Sequence, residues 1–174
     1  NLNDQRESIL LLEFNPSTYP ELIKNLAKTN KQIVLFNNRR SATWNKFNSQ
    51  DLEIIDTTPP FSSLGYFYGS ITKYLGFVPH KDEGKTLGLS AHGNSDLLYP
   101  TLSKMISYNY EKKAFDGLYE KGIFRTDFNN PNLTGILEGY ERQDIAAAAQ
   151  KVLEDVVIDF LNDRMDKPGN LAVA

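Results

Sequence analysis

The sequence contains no cysteine, which excludes disulfide bonds and thiolate metal ligands within this chain. Histidine is nearly as rare, because His80 and His92 are the only two. Metal sites usually need closer histidine spacing or additional ligands, so this pair does not predict one. We therefore assign no metal-binding residue to the chain.

A surplus of positive charge and long apolar runs are also missing. The 22 acidic residues outnumber the 19 basic ones, and the formal net charge is −3. Nucleic-acid binding needs an excess of cations to neutralise phosphates, so we expect no nucleic-acid partner. No apolar run reaches the roughly 20 residues that cross a bilayer, and the first residues do not form a signal peptide. We expect no membrane partner and, with cysteine absent, a cytoplasmic location.

The composition that remains is that of an ordinary globular α/β domain. Hydrophobic residues make up 40% of the 174 positions and charged residues 24%, which favours a single domain over residues 1–174. Short apolar runs at 8–14 and 31–36 predict buried strands on either side of a helix, a unit that usually makes a parallel pair. The polar stretch 37–50 predicts a loop, and 53–56 predicts a further short strand.

The centre of the chain predicts a short helix after Pro59-Pro60, with Ser62 or Ser63 as its cap. Four apolar residues recur there at helical spacing: Leu64, Phe67, Ile71 and Leu75. Gly76 fits the left-handed position just past the end.

Two glycines, Gly65 and Gly69, lie inside this helix, and each costs about 1 kcal/mol relative to alanine. One explanation is close packing against a neighbour that would clash with a side chain. The other is a backbone that a ligand can approach. From the residues alone we favour packing, and both explanations stay open.

A second short motif, Gly84-Lys85-Thr86, matches half of a phosphate-binding P-loop. The other half is missing, because Pro79 occupies the position of the first glycine and the motif follows a helix instead of a strand. We therefore predict a loop that is not a P-loop. Lys85 can meet a phosphate as a point charge, or it can pair with Asp82 or Glu83 on the surface.

From Pro100 onwards, the sequence predicts elements of the fold and no functional residue. A short helix begins near Pro100, residues 106–110 and 114–118 predict a hairpin, and residues 119–139 look irregular. The last helix carries an apolar face over several turns and ends at Pro168-Gly169. The members of that face are Ile145, Ala149, Val152, Leu153, Val156 and Phe160.

The central stretch resembles the NodU/CmcH-type O-carbamoyltransferase family. The matching motifs are Ser63-Leu64-Gly65, Phe67-Tyr68, Leu75-Gly76-Phe77, Glu83-Gly84-Lys85, Gly88-Leu89 and Gly93. Ser90-Ala91-His92 departs from the usual Ala-Pro-Tyr of the family. A second match covers 144–154 and 170–174, so that the resemblance extends over about 60–174, whereas residues 1–55 carry no motif of the family.

This resemblance implies part of an actin-like ATPase domain of the ribonuclease H-like type, with a central mixed sheet, flanking helices and a hairpin. We expect the chain to be a fragment of such a domain. Its family makes carbamoyl-adenylate from ATP and carbamoyl phosphate and passes the carbamoyl group to a substrate hydroxyl, with a second domain for carbamoyl phosphate. The fragment alone is expected to be inactive.

By the same resemblance, six residues are candidates for nucleotide binding: Ser63, Gly65, Gly69, Glu83, Lys85 and Gly88. No catalytic residue is assigned. The HxxxH metal pair of the family does not occur here, so a divalent metal is expected only in the full-length protein. The alternative is a non-catalytic actin-like binding or assembly module with an open sheet edge at Val173. A sugar kinase-like phosphotransferase shares the fold but lacks support from Glu83-Gly84-Lys85.

Overall fold

The computed structural model describes strands at 8–12, 32–36, 42–47 and 52–58, together with residues 62–117, 122, 125 and 127–164. The chain divides into two compact units. The first comprises residues 1–60 and 165–174, and the second comprises residues 61–164. The helix predicted between the strands at 8–14 and 31–36, the helix stop at Pro168-Gly169 and the edge at Val173 lie outside the described residues.

The first unit begins with a parallel strand pair. Strands β1 (Ser8–Leu12) and β2 (Gln32–Phe36) run parallel, with Leu10 opposite Val34. The two strands and their parallel pairing are as the sequence predicts.

An antiparallel pair follows in the same unit. Strands β3 (Ala42–Phe47) and β4 (Leu52–Thr58) pair with a shift of register between Trp44 and Asn45. The predicted strand at 53–56 is confirmed, but the predicted loop at 37–50 is wrong over β3. The sequence did not predict this strand because its residues are mostly polar. Backbone hydrogen bonds hold a strand in a two-stranded ladder, so it needs no continuous apolar run.

The second unit is mainly helical. Its elements are α1 (Leu64–Tyr74), α2 (Glu83–Ser90), α3 (Tyr99–Leu102), β5 (Ser107–Asn109), β6 (Ala114–Asp116), α4 (Pro131–Leu137) and α5 (Arg142–Arg164). Helix α5 is the scaffold, because α1, α2, α3 and β5 all contact it. Strands β5 and β6 form the predicted antiparallel hairpin, with Tyr108 opposite Phe115.

Helix α1 has the predicted boundaries and buried face. The side chain of Ser63 caps its start, and Gly76 past its end has a left-handed φ of 82°. The four residues of the predicted apolar stripe are all buried. The predicted face of α5 is also buried, except that Leu153 is half-exposed.

Two further predictions are wrong for a local physical reason. Glu83-Gly84-Lys85-Thr86 begins helix α2 and is not a loop. Residues 131–137 form helix α4, where an irregular segment is predicted. Asn130 accepts hydrogen bonds from the amides of Asn132 and Leu133, so the Asn-Pro pair starts a helix here, although the same pair also favours turns.

The α/β class is confirmed, while the strands of the described region pair as three separate two-stranded sheets. The expected central mixed sheet is therefore not seen among these residues. None of the helices described is long and apolar enough to cross a membrane.

Candidate functional site

The start of α1 uses two of the predicted nucleotide-binding residues for capping. The amide of Gly65 donates a 3.2 Å hydrogen bond to Oγ of Ser63, which is itself buried. A serine oxygen at this position satisfies an amide that has no partner within the helix. The Ser63 hydroxyl therefore has a structural partner on α1.

Gly69 lies against an aromatic ring. A Cβ atom built on Gly69 would lie 2.5 Å from Cε1 of Phe128, so the ring fills the space that a side chain would need. The ring of Phe128 stacks on Tyr66 with 5.1 Å between centroids and makes a T-shaped contact with the ring of His80 at 5.0 Å. Close packing, which the sequence favoured over ligand approach, explains why position 69 is a glycine.

Helix α2 begins with a small network of acidic side chains. Asp82 accepts a 3.2 Å hydrogen bond from the amide of Val78, and Glu83 accepts one from the amide of His80. Nζ of Lys85 lies 2.9 Å from Oδ1 of Asp82. The hydrogen bond from Lys85, followed by that from Val78, lowers the pKa of Asp82, so this carboxylate stays charged.

Lys85 remains largely in solvent, since 62% of its side chain is exposed. The pair joins this exposed ammonium to a carboxylate of which only 11% is exposed, and a more highly charged anion in solution can compete with Asp82 for the lysine. The amine also lies 6.0 Å from the ring centroid of Phe77. The guanidinium of Arg142 lies 5.3 Å from the same ring and donates a 2.6 Å hydrogen bond to the carbonyl of Leu75.

The two glycines of α2 differ from Gly69. Gly84 and Gly88 are exposed, and a Cβ atom built on either would meet no atom within 4 Å. They are four positions apart and therefore share one face of the helix, with Lys85 beside them. The structure thus groups Gly84, Lys85 and Gly88 on one open surface, which we call the α2 glycine face.

A buried hydroxyl pair joins α1 to α2. Oγ1 of Thr72 and Oγ1 of Thr86 lie 2.9 Å apart, and both residues are fully buried. In a P-loop the corresponding threonine hydroxyl binds Mg²⁺ at the surface, whereas Thr86 faces inward. This arrangement confirms that the Gly-Lys-Thr motif is not a P-loop.

Sequence reasoning missed a cleft between α1 and the segment that leads into α4. It has a volume of about 490 Å³, and Ser70, Lys73 and Tyr74 line it from α1. Arg125, Phe128, residues 129–131, Leu133 and Thr134 close the other side. Residues 119–139 looked irregular in sequence, so nothing there indicated which part of α1 they would cover.

No group of three or more potential metal ligands from histidine, aspartate or glutamate was found among the described residues.

Comparisons with known proteins give two relatives from the archaeon Methanocaldococcus jannaschii. The chain is 35% identical over 102 residues to its uncharacterized protein MJ1058, an alignment that spans 58% of this chain. It is 32% identical over 123 residues to the uncharacterized protein MJ1051, which spans 67% of this chain. The aligned regions cover only 16% and 23% of these two relatives, so the chain corresponds to a small part of their length.

The family comparison covers most of the chain. A sequence model described as "Carbamoyltransferase N-terminus" matches residues 27–174, a range that contains the α2 glycine face and both helices of the Thr72–Thr86 pair. The match begins upstream of residue 60, where the sequence motifs of the family begin. The chain belongs to the carbamoyltransferase N-terminus family.

Proposed function

We propose that the chain is part of an ATP-dependent O-carbamoyltransferase that passes a carbamoyl group from carbamoyl phosphate, through carbamoyl-adenylate, to a substrate hydroxyl. The proposal includes an actin-like ATPase fold for the complete domain and a separate domain for carbamoyl phosphate. Family membership supports carbamoyl transfer in general. The α2 glycine face supports a nucleotide as the ligand of this part of the protein.

The observation that carries the proposal is the open space around Gly84 and Gly88. Each glycine inside a helix costs about 1 kcal/mol relative to alanine. Packing offsets that cost at Gly69, but no described atom lies near the place of a side chain at either glycine of α2. Access of a ligand to the bare backbone explains both positions.

Lys85 supplies the charge that a nucleotide needs at this surface. Its amine is exposed and lies 2.9 Å from the carboxylate of Asp82. A phosphate group carries more charge than a carboxylate and can take over this lysine as its partner. In the proposed complex, Gly84 and Gly88 admit the ligand to the helix backbone and Lys85 stabilises its phosphate charge.

The other predicted contacts have a weaker fit to a nucleotide. The Ser63 hydroxyl caps α1, and the ring of Phe128 covers Gly69. The carboxylate of Glu83 accepts a hydrogen bond from the amide of His80. We therefore propose that Gly84, Lys85 and Gly88 make the direct contacts, and that Ser63, Gly65, Gly69 and Glu83 position the two helices.

Calorimetry of the full-length protein with a non-hydrolysable ATP analogue tests the proposal. Gly88→Leu should weaken binding by about tenfold or more, since the new side chain occupies the approach to the backbone. The matched control is Gly135→Leu, because Gly135 is also exposed in a helix with no atom within 4 Å of a built Cβ. The control variant should bind like the unchanged protein.

Carbamoyl transfer from carbamoyl phosphate to a hydroxyl acceptor should fall in parallel with ATP binding. Equal binding by the Gly88 and Gly135 variants would show that the nucleotide does not approach this face. A protein that binds no nucleotide at all would instead favour a non-catalytic assembly module.

A further inference from the structure

The cleft beside α1 is distinct from the α2 glycine face and has an unusual balance of charge. Its volume of about 490 Å³ lies in the range of small-molecule sites, roughly 300 to 1,000 Å³. Two cations, Lys73 and Arg125, line it. Their partners within the protein determine which charge is available to a ligand.

Arg125 is already neutralised by a neighbour. Its Nε and Nη2 atoms donate hydrogen bonds of 2.9 Å each to the two carboxylate oxygens of Asp127. Such two-point contacts between a guanidinium and a carboxylate are among the more strongly directed ion pairs of protein surfaces. Little net charge therefore remains at this end of the cleft.

Two hydroxyl groups of the cleft are also engaged by the backbone. Oγ of Ser70 donates a 2.8 Å hydrogen bond to the carbonyl of Tyr66, and Oγ1 of Thr134 donates a 3.0 Å bond to that of Asn130. Both bonds stay within a helix turn and fix the walls of the cleft. Each hydroxyl oxygen can still accept a hydrogen bond from a ligand, but its proton is already donated to the backbone.

Three other polar side chains of the lining have no such partner. Among the described residues, no protein group hydrogen-bonds to the Lys73 ammonium, the Tyr74 hydroxyl or the Asn129 side-chain amide. Lys73 thus contributes a positive charge with no carboxylate partner among the described residues, and two hydrogen-bonding groups line the same cleft. Apolar surface from Phe128 and Leu133 completes the lining.

We propose that this cleft binds a small organic oxyanion, a phosphate ester or a carboxylate, with Lys73 as the group that recognises its charge. Tyr74 and Asn129 hydrogen-bond its polar atoms, and Phe128 contacts its carbon skeleton. A compact ammonium without a competing carboxylate suits either kind of oxyanion. This site does not depend on the nucleotide proposed for α2.

Isothermal titration calorimetry of the full-length protein with three matched probes tests the site. The probes are sn-glycerol 3-phosphate, glycerate and glycerol, which share a small polyol skeleton and differ in the anionic group. At least one of the two anions should bind, more tightly than neutral glycerol and less tightly at high salt. The anion with the lower dissociation constant identifies which kind of oxyanion the cleft prefers.

Lys73→Met keeps the length of the side chain and removes its charge, so it should weaken binding of the preferred anion by about tenfold or more. Lys104→Met is the control, because Lys104 is an exposed lysine outside the cleft. It should change the dissociation constant less than twofold. The ATP analogue should bind both variants equally, which separates this site from the proposed nucleotide site.

Three results would overturn the proposal. They are equal binding of glycerol and the anions, undiminished anion binding by the Lys73 variant, and no binding of either anion by the unchanged protein. Circular dichroism of the Lys73 variant establishes that any loss of binding does not come from unfolding.

Discussion

The hydroxyl of Tyr99 donates a 2.6 Å hydrogen bond to Oδ2 of Asp155 on the long helix α5. Two further tyrosines make the same contact one and two turns along that helix. The pairs are Tyr110 with Asp159, at 3.0 Å, and Tyr108 with Asp163, at 2.6 Å. Because residues four apart lie on one face of a helix, this row of aspartates fixes α3 and the β5–β6 hairpin along α5.

Removing one hydroxyl from this row should reduce stability measurably. Tyr99→Phe keeps the ring but removes the hydrogen bond to Asp155, whose carboxylate keeps Lys151, at 3.2 Å, as its side-chain partner among the described residues. We expect the free energy of unfolding to fall by about 1 kcal/mol, since the acceptor is charged and partly exposed. Urea denaturation measures the change.

The control for this variant is Tyr140→Phe. Tyr140 is exposed, and no hydrogen bond of its hydroxyl occurs among the described residues. Its substitution should alter stability by less than about 0.5 kcal/mol. Equal effects of the two substitutions would mean that the Tyr99–Asp155 bond adds nothing to folding.

Helices α1, α3 and α5 of the second unit could be predicted because their evidence is local, whereas α2 and α4 were missed. Leu64, Phe67 and Ile71 recur at helical spacing, and Ser63 has the residue type that caps a helix. These features depend on neighbours within a few positions along the chain. The hairpin around Glu111 is local in the same sense, because its strands are adjacent in sequence.

The surroundings of Gly69 and of the cleft depend on contacts between distant residues. Phe128 covers Gly69, and Arg142 reaches the carbonyl of Leu75, although each pair is far apart along the chain. No spacing rule links such positions, so the sequence left packing and ligand approach open at Gly69. The cleft at Lys73 was missed for the same reason.

The pH dependence of stability should report the ion pair of Arg125 and Asp127. The hydrogen bond from Arg125 lowers the pKa of Asp127 from 3.8 to about 2. A carboxylate whose pKa is lower in the folded state stabilises the protein fully above its unfolded pKa. That contribution is lost as the pH falls from about 4 to about 2.

Arg125→Gln should therefore make stability fall less steeply between pH 4 and pH 2, as measured by urea denaturation at fixed ionic strength. Lys104→Gln removes an exposed cation elsewhere and serves as the control for net charge. If the two variants have the same acid dependence, the pairing with Asp127 does not affect folding.

The buried threonine pair should behave as a unit. Thr72→Val has nearly the same shape but leaves the Thr86 hydroxyl without its 2.9 Å partner in a fully buried position. We expect a loss of about 1–3 kcal/mol. Thr72→Val combined with Thr86→Val removes both polar groups and should restore most of the stability, whereas additive losses in the double variant would contradict this explanation.

The glycines of α1 and α2 should respond to alanine in opposite directions. Gly69→Ala places a methyl group 2.5 Å from an atom of Phe128, whose ring is held between Tyr66 and His80. We expect overpacking to lower the free energy of unfolding by about 1–3 kcal/mol. Gly88→Ala meets no atom and should raise it by about 0.5–1 kcal/mol, through the better helix propensity of alanine.

A second substitution at Phe128 shows whether the ring is the cause. In a Phe128→Leu background the smaller side chain leaves room for a methyl group, so Gly69→Ala should become neutral or stabilising, while Gly88→Ala should keep its effect. Urea denaturation of the two single and two double variants, with Phe128→Leu as reference, gives the coupling energy of each pair. A Gly69 penalty that persists without the phenylalanine ring would mean that another contact, and not Phe128, requires glycine at this position.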